Sequence, residues 1–276
     1  MTNQPHISFS DGHTIPQIGL GVWKTPNDGA VTAVRTALEA GYRHIDTAAA
    51  YENEEGVGKG IHASGVVRDE IFLTTKVRND DQGYDSTLKA LDASLKRLGQ
   101  DYIDLYLIHW PSPRRGPYVE TWRALIKAQE DRRVRSIGVS NFAAEHLGRI
   151  IDETGVTPVL NQIELHPRFQ QKRLREVHAQ HGIKTQSWSP LGQGQLLSDP
   201  VIARIAEKHG RTPAQTIIRW HIDNGLIVIP KSVTPSRIVE NFSVFGFALD
   251  AEDIAAVAGL DDPSGRIGSD PMTATF

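Results

Sequence analysis

Eight short apolar runs, all but the first ending on polar residues and each followed by an amphipathic stretch, constrain this chain more than any other feature. They are IGLGVW (18–23), YRHID (42–46), IFLTTK (71–76), IDLYLIH (103–109), RSIGVSN (135–141), VLNQIELH (159–166), IKTQSWS (183–189) and LIVIPKS (226–232). Runs of this length and composition read as strands of a parallel sheet covered on its faces by helices. The segments between them, such as DGAVTAVRTALEAG, YDSTLKALDASLKRLG and AEHLGRIIDETG, read as helices, several closing on a glycine suited to the C′ position. Leu88, Leu91, Leu95 and Leu98 recur at three- and four-residue spacing and make one apolar face. Eight such units in 276 residues predict an α/β fold, a (β/α)8 TIM barrel rather than an open sheet. The preceding HISFSDGHTIPQIGL carries Asp-Gly between two short runs and is expected to form a hairpin that closes the barrel bottom. No linker, repeat or low-complexity stretch intervenes, so a single domain over 1–276 is expected.

In a barrel of this type chemistry sits at the C-terminal ends of the strands and in the loops that follow. The second run ends on Asp46, with Tyr51 in the next loop, and the third on Lys76. The fourth ends on His109, followed by Trp110; the fifth on Ser140 and Asn141. The sixth carries Asn161, Gln162, Glu164 and His166; the seventh Trp188 and Ser189; the eighth Lys231 and Ser232. Taken singly, each has a structural reading: Asp46 as a turn cap, Lys76 as a solvated lysine, His109 as a core histidine, Tyr51 as packing. Polar groups from many strands meeting on one rim favour the functional reading of the set.

Composition removes several chemistries. There is no cysteine, which excludes disulfides, thiolate nucleophiles and Cys-ligated zinc or iron–sulfur sites. With HExxH and His-x-His absent too, no metal is expected; His178 and His181 share a helical spacing but fall in a polar helix and are expected at the surface. A glycosidase would need two carboxylates near the scissile bond. A Schiff-base lyase through Lys76 or Lys231 stays open. The net charge of −3 offers no basic field for nucleic acid. No secretory signal and no run of about 18 apolar residues is visible, so a cytoplasmic protein with no membrane partner is expected.

Together GYRHIDTAAAYENEEGVG, LTTK, DLYLIHWP, SIGVSNF, NQIELHP, SPLGQG and IPKSVTPSRIVEN resemble an aldo-keto reductase over nearly the whole chain, and within that family the bacterial 2,5-diketo-D-gluconate reductases. Trp188 carries the second part of that likeness. The resemblance implies NADPH-dependent reduction of aldehydes and ketones, including keto-sugar acids and α-dicarbonyls, by a monomer with a catalytic tetrad at Asp46, Tyr51, Lys76 and His109. The alternative is a non-catalytic NADPH-binding barrel acting as a sensor or accessory subunit. The chemistry of the tetrad is consistent with catalysis. Hydride transfer leaves an alkoxide, and Tyr51 can supply its proton. A free phenol has a pKa of about 10, and a lysine about 4 Å away offers roughly 4 kcal/mol at an effective dielectric near 20. Burial and Asp46 oppose that pull, so a small net lowering is expected. His109 can donate to the carbonyl oxygen.

No GxGxxG follows the first run, so the nucleotide is not expected in a Rossmann site. It is expected instead in the loops after strands seven and eight, the phosphate-binding loops of barrels. Ser189, Leu191, Gly192, Gln193 and Gly194 lie in the first, where the glycines permit close backbone approach. In the second, Thr234-Pro235 resembles an N-cap with proline at N1, and Lys231, Ser232 and Arg237 suit a 2′-phosphate. The resemblance implies that Trp188 stacks on the nicotinamide, that Ser140, Asn141 and Gln162 hold its carboxamide, and that Glu240 and Asn241 meet the adenosine. The substrate pocket is expected to be lined by Trp23, Tyr51, His109 and Trp110, with Arg78 as a cation where relatives commonly have an aromatic residue. Glu52 stands where glycine is usual, and the short tail after Gly259 predicts an open, broad pocket.

Overall fold

The computed structural model describes residues 4–274. The hairpin comprises β1 (His6–Ser8) and β2 (Thr14–Pro16), antiparallel with Ile7 opposite Ile15. Eight parallel strands follow: β3 (Leu20–Gly21), β4 (His44–Asp46), β5 (Phe72–Val77), β6 (Ile103–Ile108), β7 (Val134–Ser140), β8 (Leu160–Glu164), β9 (Lys184–Trp188) and β10 (Ile227–Val228). Each pairs with its sequence neighbour. Backbone bonds between the first and last close the ring: Gly19 N donates to Val228 O at 2.9 Å and Gly21 N to Pro230 O at 3.2 Å. All eight expected runs are strands. The outer two are far shorter than the runs at 18–23 and 226–232, because Pro230 has no N–H and Gly21 lies 3.0 Å, at a built Cβ, from Ile229 O. Isolated bridges, Ile18 with Val228 and Gly21 with Lys231, replace a regular ladder there.

The helices are α1 (Asn27–Glu39), α2 (Glu54–Ser64), α3 (Tyr84–Leu98), α4 (Tyr118–Glu130), α5 (Ala144–Thr154), α6 (Lys172–Gln180), α7 (Pro200–His209), α8 (Pro213–Asp223), α9 (Pro235–Phe242) and α10 (Ala251–Ala258). The leucine face of α3 packs inward, Leu91 and Leu98 buried and Leu88 and Leu95 partly so, and Gly99 ends the helix at φ 63°. The hairpin is the barrel floor: Phe9 and Ile15 join Phe72, Leu105, Leu107, Val159, Leu160 and Ile227 in one apolar cluster. No helix among the described residues is long and apolar enough to cross a membrane.

One expectation fails on α6. His181 is exposed, but His178 is buried and sits between Asn161 Nδ2 at 2.9 Å and Thr185 Oγ1 at 2.8 Å. The helix is polar overall, and that average conceals the face that packs on β8 and β9.

Candidate active site

Strand order alone brings Asp46, Lys76 and His109 together, since β4, β5 and β6 are adjacent and all end on the same rim. Lys76 is fully buried. Its Nζ donates to Asp46 Oδ1 at 2.6 Å and to Thr47 O at 2.8 Å. The other Asp46 oxygen accepts from Gln162 Nε2 at 2.7 Å, and that nitrogen also donates to Gln186 Oε1 at 2.9 Å. Tyr51 ends a single 3-10 turn after β4, spanning Ala49–Tyr51. Its ring lies 5.5 Å from that of His109, edge to face, and 5.1 Å from Lys76 Nζ. Glu52 follows at φ 57°, the left-handed region. Glycine would adopt that conformation without strain, which is the physical reason a glycine suits this position.

The charges follow from this burial. Burial alone would lower the Lys76 pKa, but the charges of Asp46 and Tyr51 and hydrogen bonds to them raise it above its ordinary value, so the ammonium persists. Burial also pushes Asp46 up, against Lys76 and Gln162, which favour its ionised form. Tyr51 differs from expectation. Burial outweighs the pull of Lys76, Asp46 adds to it, and the phenol lies above its ordinary pKa rather than slightly below. His109 is lowered to about 3, by burial and then by Lys76, and is a neutral imidazole near pH 7.

Above this group is a cavity of about 570 Å³. Trp23, Tyr51, His109 and Trp110 all line it, as do Ser140, Asn141, Gln162 and Trp188. The polar residues among them already bond to one another. Trp188 Nε1 donates to Asn141 Oδ1 at 2.8 Å, Asn141 Nδ2 to His109 O at 3.0 Å, and Ser140 Oγ to Gln162 O at 2.9 Å. This network fixes the Trp188 ring against the rim.

A groove of about 540 Å³ continues from the cavity, sharing Trp23, Lys24, Ser189, Gln193 and Lys231 with it. Leu191, Gly194, Ser232, Arg237, Glu240 and Asn241 line its far part. Gly192 is buried beneath it, against Leu196, with φ 57°. Lys231 and Arg237 are exposed, and among the described residues no ion pair engages either. Thr234 precedes Pro235 at the start of α9 as expected, but its side chain makes no cap; Ser232 Oγ accepts from Thr234 N at 3.2 Å instead.

Arg78 is placed elsewhere. It lines a separate hollow with Glu52, Glu54, Glu55, Asp81 and Arg97, and does not line the cavity over Tyr51. A side chain after β5 can run outward over α2 as readily as inward, and the local sequence does not choose between the two. Lys24 is a cation at the mouth, along with Lys231, with its Nζ 4.2 Å from the Trp23 ring centroid. Other lining residues also escaped the sequence reading. Thr212 and Pro213 carry the same cap-and-proline signature as Thr234 and Pro235 and were findable; Thr212 Oγ1 donates to Glu240 Oε1 at 2.8 Å. Ile267, Gly268 and Ser269 form part of the cavity wall, so the tail, though short, does not leave the pocket open on that side. Nothing in their sequence signals this.

The description "Aldo/keto reductase family" matches residues 17–262. An aldo-keto reductase of Mycolicibacterium smegmatis is 58% identical over 272 residues, covering 99% of this chain and 98% of that one. The methylglyoxal reductase DkgA of Escherichia coli is 54% identical over 273 residues, covering 98% of each. Among solved structures, an aspartate-to-alanine mutant of Gox0644 in complex with NADPH is 60% identical, with a TM-score of 0.96 and 99% of each chain covered. With a closed eight-stranded barrel, a polar rim of Asp46, Tyr51, Lys76 and His109, and relatives alike over their full length, the chain belongs to the aldo/keto reductase family.

Proposed function

We propose that this chain is an NADPH-dependent carbonyl reductase in which Tyr51 donates the proton, acting on small α-dicarbonyls and keto-sugar acids. The observation that carries the reading is the buried Asp46–Lys76 pair beneath a tyrosine that faces a cavity beside a neutral histidine. The groove fits the cofactor: exposed Lys231 and Arg237, with no carboxylate partner among the described residues and with the starts of α8 and α9 beside them, suit a phosphorylated dinucleotide. NADPH when bound supplies the hydride. Trp188, held by Asn141, is placed to stack on a flat ring, and Ser140, Asn141 and Gln162 present polar atoms around it.

In the reaction His109 donates to the carbonyl oxygen and orients it, and Tyr51 gives its proton to that oxygen as negative charge builds there. Lys76 stabilises the phenolate left behind. Asp46 holds Lys76 in place and charged, and Gln162 and Gln186 hold Asp46. Small substrates suit a cavity of this size walled by three tryptophans, and the DkgA relatives carry the name methylglyoxal reductase. Lys24, rather than Arg78, is a cation at the mouth available to a carboxylate on a keto acid, while Lys231, which also lines the cavity, suits the cofactor. The test is Tyr51→Phe, read by NADPH absorbance with methylglyoxal and a keto-sugar acid. Turnover should fall by about 10²-fold or more while NADPH binding persists. Near-normal turnover would sink the assignment of Tyr51 as acid.

A further inference from the structure

Glu164 ends β8 on the active rim, is buried, and has no place in the proton transfer. Among the described residues no lysine or arginine pairs with it; its one titratable neighbour in contact is His166, whose Nε2 is 3.2 Å from Oε1. A carboxylate removed from water in this way needs donors. It finds them in the tail: Ile267 N donates to Oε1 at 2.6 Å and Gly268 N to Oε2 at 2.9 Å. Both oxygens thus hold consecutive backbone amides of the segment that walls the substrate cavity. That segment is also tethered upstream, where Asp262 N donates to Arg168 O at 3.0 Å. Beyond Gly265 it reaches the cavity and Glu164. Gly268 has no side chain where one would obstruct: a built Cβ meets Trp188 Cη2 at 2.5 Å and Glu164 Oε2 at 2.8 Å.

We propose that Glu164 is a positioning residue that latches the 267–268 segment against the edge of Trp188, and so sets the width of the substrate pocket. This rests on the carbonyl-reductase reading for its kinetic consequence, though the latch itself does not. A buried carboxylate accepting two amides makes charge-assisted bonds, stronger than neutral ones. Glu164→Gln keeps the size but turns one oxygen into an NH₂ group facing an N–H donor, and one bond is lost whichever way the amide lies.

The experiment is amide hydrogen exchange at residues 267 and 268 together with steady-state kinetics for methylglyoxal, on the full chain with NADPH. Glu164→Gln should speed exchange at both amides about ten- to a hundredfold. It should raise KM for the carbonyl about tenfold and leave kcat within about threefold, because the tetrad is untouched. Gly268→Ala attacks the same latch with Glu164 intact, since its Cβ must push the segment away, and should raise KM in the same way. Unchanged exchange and KM in Glu164→Gln would overturn the proposal. So would a fall in kcat at unchanged KM, which would give Glu164 another role, or faster exchange with KM unmoved. If Glu164→Gln fails to fold, an unchanged KM in Gly268→Ala overturns it alone. A parent enzyme that exchanges slowly at 267 and 268 but reduces no carbonyl would refute the function and leave the latch standing.

Discussion

Replacing Lys76 with methionine tests the proposed chemistry most directly. The substitution keeps most of the buried chain volume and removes the ammonium. At 5.1 Å from the Tyr51 ring, that charge is worth about 3 kcal/mol to a phenolate at an effective dielectric near 20, or about two pKa units. Asp46 does not keep its charge to make matters worse. Without Lys76, burial dominates its pKa, and with only Gln162 donating it takes up a proton. This also limits the structural damage, since a lone buried charge would cost about 3–5 kcal/mol. Tyr51 then lies higher still, with only burial acting on it. Turnover should therefore fall about 10²-fold, slightly less if the proton is only partly transferred in the transition state. Turnover is read by NADPH absorbance, fold by circular dichroism, and cofactor affinity by fluorescence titration. Affinity should change by no more than about threefold, because Lys76 lines neither the groove nor the cavity. A folded, NADPH-binding variant that loses only about twofold in turnover would refute the claim that Lys76 tunes the phenol.

Arg237→Gln should weaken NADPH binding about tenfold and NADH binding about twofold or less, as measured by titration with each; equal losses would show that Arg237 does not read the 2′-phosphate. The fold should also be acid-sensitive. His44, His109 and His221 are lowered chiefly by burial to about 3 and His178 to about 4, so their folded values lie below the unfolded one near 6.5. The unfolded chain then binds protons that the native one does not, and stability declines as pH falls through about 6.5 toward 4, by at most about 5 kcal/mol per pH unit for four such groups. Urea midpoints at pH 7.5 and 5.5 check this, and a midpoint that does not drop would mean these histidines are not held neutral.

What could be read from the sequence was whatever a short local pattern carries. Continuous apolar runs gave all eight strands, and polar residues closing those runs gave the rim, because a parallel barrel puts every strand end on one side. The loops after β9 and β10 were legible through glycine, proline and cation placement. Features set by distant contacts were not. Arg78 could turn inward or outward, and nothing in the local sequence decides that it lines the hollow beside α2 rather than the cavity. His178 lies in a helix too polar on average to suggest burial. Ile267 to Ser269 line the cavity, and the amides of Ile267 and Gly268 are held there by Glu164, about a hundred residues earlier, a contact that no local pattern announces.

If Tyr51 is the proton donor proposed above, the sign of its shift explains why it needs so many supports. The net effect of the site on the free phenol is upward, so at rest Tyr51 is protonated and loaded as an acid. Burial does this without help, but the same burial opposes the phenolate that donation leaves. A cation beside it answers that, yet burial would strip the proton from a lone lysine just as it lowers His109. Asp46 restores the lysine's charge, and then partly cancels its action on the phenol. Geometry resolves the conflict: Asp46 touches Lys76 at 2.6 Å, and its other oxygen is held by Gln162 at 2.7 Å. The lysine, bound also to Thr47 O, lies between aspartate and tyrosine in the order of interaction. In the proposed mechanism Asp46 therefore serves to keep the ammonium charged, and the three residues would act as one proton donor only while Lys76 stands between the carboxylate and the phenol.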